Sequence, residues 1–211
     1  MSCRFLKVQA SVVAAVLSIA MLLFAAQRHD SGASPQFRTV IDLTTAAGNA
    51  SSTQTTLLAP AKLGGGWTVE SLPPTRLIAP LAVIQADHKH FPESESLVTM
   101  DDVAAYERMH GAVPQGSMVL LASSKPAINP ILSHDALHFL MEARDVVAIG
   151  GAGTNLVDPI EDSYLAKKGA YELENVANIS VLPTSGMIGV AAPDKIQGAA
   201  EAPVRLMALV K

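Results

Sequence analysis

Apolar residues along the chain fall into short runs that turn-forming residues separate. Most of these runs are continuous rather than alternating, which is typical of strands covered on both faces. They predict six strands, at residues 40–43, 81–87, 117–123, 146–151, 170–178 and 203–210. The first of these is expected to be a short buried strand.

Helices are predicted by capping residues as well as by periodicity. Thr99 can cap a helix that Asp101 and Asp102 favour in its first turn and that Gly111 ends. Ser133 can cap a second helix, whose apolar residues Ala136, Leu137, Leu140 and Met141 share one face. A weaker pattern predicts a third helix at residues 162–168, stopped by Gly169.

Strands and helices interleave, so the predicted class is α/β, and the length suits one globular domain. We assign residues 39–211 to this domain and residues 31–38 to a linker. Hydrophobic residues make up 49% of the 211 positions and charged residues 16%, which supplies a sizeable core. The formal net charge of -4, without a basic cluster in the domain, argues against nucleic-acid binding.

The N-terminal segment has the layout of an export signal. Arg4 and Lys7 precede a largely apolar stretch at residues 8–26, and Ser31 and Ala33 fit a cleavage rule. The stretch is also long enough for a membrane anchor. We therefore expect residues 1–30 to be a signal peptide or an anchor, and the protein to be exported or held at a membrane. Cys3 is the only cysteine, so the domain has no cysteine-based metal site or disulfide.

Two histidine pairs could bind metal. His134 and His138 lie four residues apart on a predicted helix, in a pattern similar to the zinc-protease motif H-E-x-x-H. Asp135 replaces the glutamate of that motif and no third ligand follows downstream, so the sequence favours a solvent-facing pair. His88 and His90 follow a strand, where a solvated loop is the more common interpretation.

Several stretches in order resemble the cyclase family of metal-dependent amide hydrolases, which includes kynurenine formamidase and isatin hydrolase. They are VIDLT, GGGWTVESLP, LIAPLAVI, HGAVPQGSMVLL, EARDVVAIG, ELENVANISVLPTSG and APVRLMALV. The resemblance implies a compact single α/β domain around a mixed sheet, usually dimeric, in which zinc or manganese activates water for attack on an amide. It places Trp67 where the isatin-hydrolase-like branch lines its substrate pocket.

The family takes its metal ligands mostly from the motif H-x-G-T-H-x-D-x-P-x-H-F, and this chain departs from that motif. By resemblance, the first histidine position is Ser52 and the glycine is Gln54, while the threonine persists as Thr55. The second histidine position is Thr56, and the aspartate position is Leu58. Hydroxyls are poor ligands beside imidazole, and leucine offers no donor atom at all.

The rest of the motif is altered as well. Pro60 is kept, but the final histidine, the expected general acid-base, is Lys62, and Leu63 follows in place of phenylalanine. The family's later histidine position falls on Asp162, and its glutamate persists as Glu174. The resemblance leaves these two carboxylates as metal ligands, able to hold a hard cation weakly through oxygen.

We therefore expect a homologue of the amide hydrolases that is inactive, with no catalytic residue and no bound cofactor. Zinc or manganese would bind only if part of the family site is retained. The expected ligand is a small aromatic amide, and the expected assembly is a homodimer or a pair with an active paralogue. The alternative is an active hydrolase of a formamide or cyclic amide, whose site combines Asp162 and Glu174 with His88 or His90.

Overall fold

A computed structural model describes residues 37–45, 54–86, 96–123 and 129–211. The chain divides into two units, Met1–Gln36 and Phe37–Lys211, and every described residue belongs to the second. The predicted signal or anchor, Ser52, His88 and His90 lie outside the described residues. Within the described ranges, no helix has the length and apolar character that a membrane crossing requires.

One mixed sheet forms the centre of the domain. Its eight strands are β1 (Thr39–Asp42), β2 (Thr56–Leu58), β3 (Ile78–Ala86), β5 (Met118–Ser123), β7 (Ala148–Gly151), β8 (Tyr171–Glu174), β9 (Met187–Pro193) and β10 (Glu201–Val210). They have the order β1-β10-β2-β8-β7-β5-β3-β9, and β9 also pairs with β10, which gives a barrel-like arrangement. A parallel pair, β4 (Ser96–Val98) and β6 (Pro130–Leu132), lies apart from this sheet.

Parallel and antiparallel pairings divide the sheet into two parts. The neighbours β3–β5, β5–β7 and β7–β8 are parallel, whereas every pairing of β10, the β2–β8 pairing and the β3–β9 pairing are antiparallel. Parallel neighbours need crossover connections, which the helices between them supply. The predicted mixed sheet in a single α/β domain is therefore confirmed.

Three helices begin and end where the sequence predicts, and a fourth, at Pro74–Leu77, was not predicted. They are α1 (Pro74–Leu77), α2 (Met100–His110), α3 (His134–Arg144) and α4 (Asp162–Lys168). The Asp102 carboxylate accepts hydrogen bonds from the Thr99 amide and hydroxyl, and Ser133 Oγ accepts one from the Ala136 amide at 3.4 Å. Gly169 ends α4 in the left-handed conformation, with φ of 67°.

Two hydrophobic clusters pack against opposite faces of the sheet. Alternate residues of β3 divide between them, Leu81 and Val83 joining one cluster and Ala82 and Ile84 the other. The second cluster also contains the apolar faces of α2 and α3. Burial of both faces explains why these strands have continuous apolar runs in the sequence.

The strand predictions were wrong about the burial of one strand, and they missed four others. β1 was expected to be buried, yet Val40 is 58% exposed, because β1 lies at the end of the sheet order and pairs only with β10 among the described strands. The strands β2, β4, β6 and β9 were missed. Three of them have only three residues, which is too short for a periodicity to be detected.

Candidate functional site

Two of the substituted ligand positions, Thr56 and Leu58, lie on one face of β2, beside the retained Glu174 on β8. Thr56 pairs with Glu174 and Leu58 with Glu172 in the antiparallel register. Directly opposed residues project to the same face of a sheet, so these four side chains form one surface. We call this surface the β2–β8 face.

Lys62 provides a cation beside this face. Its Nζ lies 3.0 Å from Oε2 of Glu201, and both side chains are about half exposed. Glu201 in turn pairs with Leu58 in the β10–β2 register. Burial raises the pKa of the neighbouring Glu174, Glu201 raises it further, and the Lys62 charge opposes both effects. An ammonium group of the protein itself therefore partly balances the carboxylates here.

Glu172 is the most deeply buried carboxyl of the β2–β8 face. It is only 2% exposed, and its Oε1 has no hydrogen-bond partner among the described residues. Burial raises the pKa of Glu172 to about 8, and the nearby Asp162 and Glu174 charges add to the shift. Burial also raises the pKa of Asp162, with a smaller contribution from Asp158. Glu172 is therefore mostly protonated at neutral pH.

The donors at these positions do not fit a zinc or manganese ion. Leu58 has no donor atom, the Thr56 hydroxyl donates to the Gln54 carbonyl at 3.0 Å, and Lys62 is itself a cation. Within the described ranges, Asp162, Glu172 and Glu174 are not among the ligand atoms that converge within 4.8 Å of one another. That Asp162 and Glu174 bind a hard cation stays a prediction, which would require their carboxylates to move together.

Thr55, the motif threonine that persists, has a structural role. The side chain is 1% exposed, and its Oγ1 accepts a hydrogen bond from the Thr45 amide at 2.7 Å. The same hydroxyl lies 2.9 Å from the Asn175 carbonyl, to which it donates. Thr55 therefore ties the segment after β1 to the segment after β8, on either side of the substituted positions.

The three glycines before Trp67 are required by backbone geometry. Gly64, Gly65 and Gly66 have φ of 124°, 143° and 91°, which side chains other than hydrogen rarely tolerate. A Cβ on Gly66 would lie 3.1 Å from Pro60 Cβ. The turn also carries the backbone close to the start of α4. The positive φ values, together with the close approach of Gly66 to Pro60, account for these glycines.

Trp67 packs against the end of α4. A Cβ on Gly169 would lie 2.8 Å from Trp67 Cζ3, and the Arg76 guanidinium lies 5.6 Å from the indole centroid. The indole is 38% exposed, and it does not line either of two cavities, of about 450 and 220 Å³, that lie among the described residues. Its predicted contact with substrate stays a prediction.

The larger cavity lies at the carboxyl ends of the parallel strands, where α/β sheets commonly bind ligands. It has a volume of about 450 Å³. Gln85 and Ser123 line it from the ends of β3 and β5, and Ala152 does so directly after β7. Asn178 and Thr184 add further polar groups, and none of the described lining residues is ionisable. The cavity suits a small uncharged ligand.

A second cluster of polar side chains joins the histidine pair, His134 and His138, to Glu161, which the sequence did not connect with them. His134 Nδ1 lies 2.5 Å from Glu161 Oε1, and His138 Nε2 lies 3.3 Å from Glu161 Oε2. Hydrogen bonds from the two imidazoles lower the pKa of Glu161. Glu161 was missed because it lies 23 residues beyond His138 and meets the pair only through the fold. Its only sequence signal is an acidic residue just before a predicted helix.

Comparison with known proteins then identifies the family. The profile of the family described as "Putative cyclase" matches residues 16–156, more than half of the chain. The chain belongs to the cyclase family. The predicted resemblance is thereby confirmed.

Isatin hydrolases are among the similar proteins. The isatin hydrolase of Roseibium aggregatum is 27% identical over 166 residues, and the match covers 67% of this chain. The chain spans about 63% of the length of that curated relative.

Solved structures show the same fold. Isatin hydrolase A from Labrenzia aggregata, bound to benzyl benzoate, superposes with a TM-score of 0.72 at 19% identity, covering 90% of this cyclase-family chain and 99% of that one. Isatin hydrolase A from Ralstonia solanacearum gives 0.66 at 24% identity, covering 82% and 81%. An isatin hydrolase bound to the product analogue thioisatinate gives 0.64 at 23% identity, covering 84% of each chain.

Proposed function

We propose that this cyclase-family protein binds a small, uncharged aromatic amide and does not hydrolyse it through the family's metal motif. The observation that carries the proposal is the ion pair between Lys62 and Glu201, 3.0 Å apart beside the β2–β8 face. Lys62 stands where the resemblance puts the final histidine of the metal motif. A fixed positive charge at this position opposes a dication, because like charges repel at short range.

The neighbouring positions support the loss of hydrolysis. Metal-dependent hydrolysis needs an ion that lowers the pKa of bound water and polarises the carbonyl. Leu58 supplies no ligand atom, and the protonated Glu172 offers a hydrogen-bond donor rather than a second negative charge. The β2–β8 face therefore lacks both the donor set and the charge that the family chemistry uses.

Binding is supported by the cavity at the ends of β3 and β5. Gln85, Asn178 and Ser180 offer amide and hydroxyl groups, and Val83, Leu121 and other aliphatic residues supply apolar surface. Such a lining matches a planar ligand with a carbonyl and an N–H. Two isatin hydrolases of similar fold hold aromatic ligands, benzyl benzoate and thioisatinate.

The cellular setting is part of the same proposal. We place the protein outside the cytoplasm or at a membrane, because residues 1–30 have the charge and apolar pattern of an export segment. Self-association or pairing with an active paralogue follows from the resemblance to a usually dimeric family.

A second candidate function is hydrolysis of a formamide or cyclic amide at a rearranged metal site. One observation favours it, namely the grouping of His134, His138 and Glu161 within 4.8 Å. None of these three residues lines either described cavity, however, so a substrate in the larger cavity would not reach them directly.

The test combines binding and turnover with one purified preparation. Isothermal titration with isatin and with N-formylkynurenine measures binding, and absorbance assays with added Zn²⁺ or Mn²⁺ measure hydrolysis. We expect saturable binding to at least one compound without turnover. Ser180→Trp, at the exposed rim of the cavity, should weaken binding at least tenfold, whereas Ser185→Trp, outside the lining, should not.

Metal-dependent turnover would overturn the proposal. If that turnover disappears in His138→Ala, the second candidate function stands instead. Absence of binding to both compounds would contradict the assignment of the cavity, and so would binding that Ser180→Trp leaves unchanged.

A further inference from the structure

The histidine pair on α3 has the spacing of a helical metal site. His134 and His138 are four residues apart, so both imidazoles project from one side of the helix. Glu161 reaches the same point from the 3-10 turn Pro159–Glu161, which precedes α4. Two elements distant in sequence thus direct three ligand atoms at one place.

The distances agree with tetrahedral coordination after a small adjustment. Zinc bonds of about 2.0–2.1 Å to nitrogen and oxygen put neighbouring tetrahedral ligand atoms about 3.4 Å apart. His138 Nε2 and Glu161 Oε2 are already 3.3 Å apart. His134 Nδ1 lies 2.5 Å from the other carboxylate oxygen, Oε1, so this imidazole, which is 63% exposed, must break that hydrogen bond and turn toward an ion held by His138 and Oε2. One ligand atom from each of the three residues lies within 4.8 Å of the others, so the movement is small.

Surrounding side chains hold one ligand in place. The His138 ring stacks on the Tyr164 ring, with centroids 4.0 Å apart and planes inclined by 9°. The Tyr164 hydroxyl donates to Glu142 Oε1 at 2.8 Å, and the Lys168 ammonium lies 2.7 Å from the same oxygen. Such contacts around a ligand reduce the entropy lost on metal binding and fix the orientation of the ring.

The donor types select the metal class. Imidazole nitrogens favour zinc, copper or nickel, whereas magnesium and calcium prefer all-oxygen shells. Glu161 is mostly buried, with a side chain 13% exposed, and its two oxygens face the two imidazoles. A dication would replace the hydrogen bonds between the imidazoles and the carboxylate, and would bind the carboxylate directly.

We propose that His134, His138 and Glu161 form a site for a divalent cation of the zinc class, which links α3 to the turn before α4. This site uses none of the positions of the family motif. Water completes the coordination at the exposed side of His134. Because it joins two elements that are distant in sequence, the bound ion acts as a structural link.

The test uses the full chain after treatment with EDTA and dialysis. Isothermal titration with ZnCl₂ should show one equivalent bound at micromolar or tighter affinity. His138→Ala and Glu161→Gln should each weaken this binding at least tenfold. His110→Ala is the matched control, because His110 is also a helical histidine but lies outside the site, with its ring 5.2 Å from the Tyr106 ring, and it should leave zinc affinity unchanged.

A second measurement separates loss of the site from loss of the fold. The metal-free variants should give circular dichroism spectra and melting temperatures close to those of the parent, and zinc should raise the melting temperature only in the parent and His110→Ala. If His138→Ala unfolds, the exposed His134→Gln serves in its place. Cobalt substitution should add visible absorption bands that the site variants lack.

Some outcomes would overturn the site. If the parent, His134→Gln and Glu161→Gln bind zinc with equal affinity, zinc binds elsewhere. The same conclusion follows if His110→Ala loses as much zinc affinity as the site variants. The proposed function does not depend on this result, because the ligand titrations with isatin and N-formylkynurenine are carried out on the metal-free protein.

Discussion

Among the described residues, Glu172 is the carboxylic acid whose pKa lies furthest above its ordinary value. Its carboxyl has a pKa of about 8 in the folded chain, against 4.5 when unfolded, so the folded state keeps a proton that the unfolded state releases. The free energy of unfolding should therefore fall as pH rises from about 5 to 8. Asp162 and Glu174, whose pKa values are also raised, add to the same slope.

Glu172→Gln should remove much of this slope, because an amide does not ionise. Relative to the parent, the variant should gain about 2–4 kcal/mol of stability between pH 5 and pH 8, as urea denaturation at each pH would measure. Glu142→Gln is the control. Hydrogen bonds from Lys168 and Tyr164 lower the pKa of Glu142, so its loss should leave the slope between pH 5 and 8 intact. Identical slopes in the parent and Glu172→Gln would contradict a protonated Glu172.

Thr55 shows that a motif residue can persist for structural reasons after its neighbours have changed. Thr55→Val keeps the shape but removes the hydroxyl that joins the Thr45 amide to the Asn175 carbonyl. The Thr45 amide then loses its partner, whereas the Asn175 carbonyl still accepts a hydrogen bond from the Thr45 hydroxyl, and the loss should cost about 1–3 kcal/mol. Thr56→Val loses only a local bond to the Gln54 carbonyl, so thermal denaturation should show a much smaller change. Equal losses in the two variants would rule out this role.

At the level of elements, the end of α4 packs against Trp67, which follows the three-glycine turn. Gly169 has φ of 67°, and a Cβ there would lie 2.8 Å from Trp67 Cζ3. Gly116 has nearly the same φ, 66°, but open space around it. Gly116→Ala should therefore cost about 1 kcal/mol for the left-handed backbone alone, and Gly169→Ala about 2–3 kcal/mol because of the added clash.

A double-mutant cycle isolates the contact between these residues. Gly169→Ala should cost less in a Trp67→Ala background than in the parent, and approach the cost of Gly116→Ala. Chemical denaturation of the four proteins measures the coupling. If the cost of Gly169→Ala does not depend on Trp67, the indole does not pack on the end of α4 as described.

The same elements show why helices were easier to predict than strands. Thr99, Ser133 and Gly169 act through bonds to residues three or four positions away, so their signals are local in sequence. A three-residue strand has no such local signal. β2, for example, is defined by its partners β8 and β10, more than a hundred residues away.

For the whole molecule, the ordered family stretches were enough to predict the fold class but not the sites. The resemblance located the substituted metal positions, and the β2–β8 register explains why Thr56, Leu58 and Glu174 lie on one surface. No spacing rule joins Glu161 to His134 and His138, since the approach of α3 to the turn before α4 depends on tertiary packing. The cavity at the strand ends likewise depends on residues from several strands and loops.

If the β2–β8 face keeps the family geometry and only its donors have changed, replacing those donors should restore metal binding. We expect a variant with Thr56→His, Leu58→Asp, Lys62→His and Asp162→His, in a His138→Ala background, to bind close to one equivalent of zinc. Adding Glu174→Ala should weaken that binding at least tenfold, because one of the carboxylate ligands is then lost. Zinc titration of each folded variant measures both effects. A folded variant without added zinc affinity would show that the loop carrying Lys62 no longer places a ligand over the sheet, and that the change in this protein extends from its side chains to its backbone.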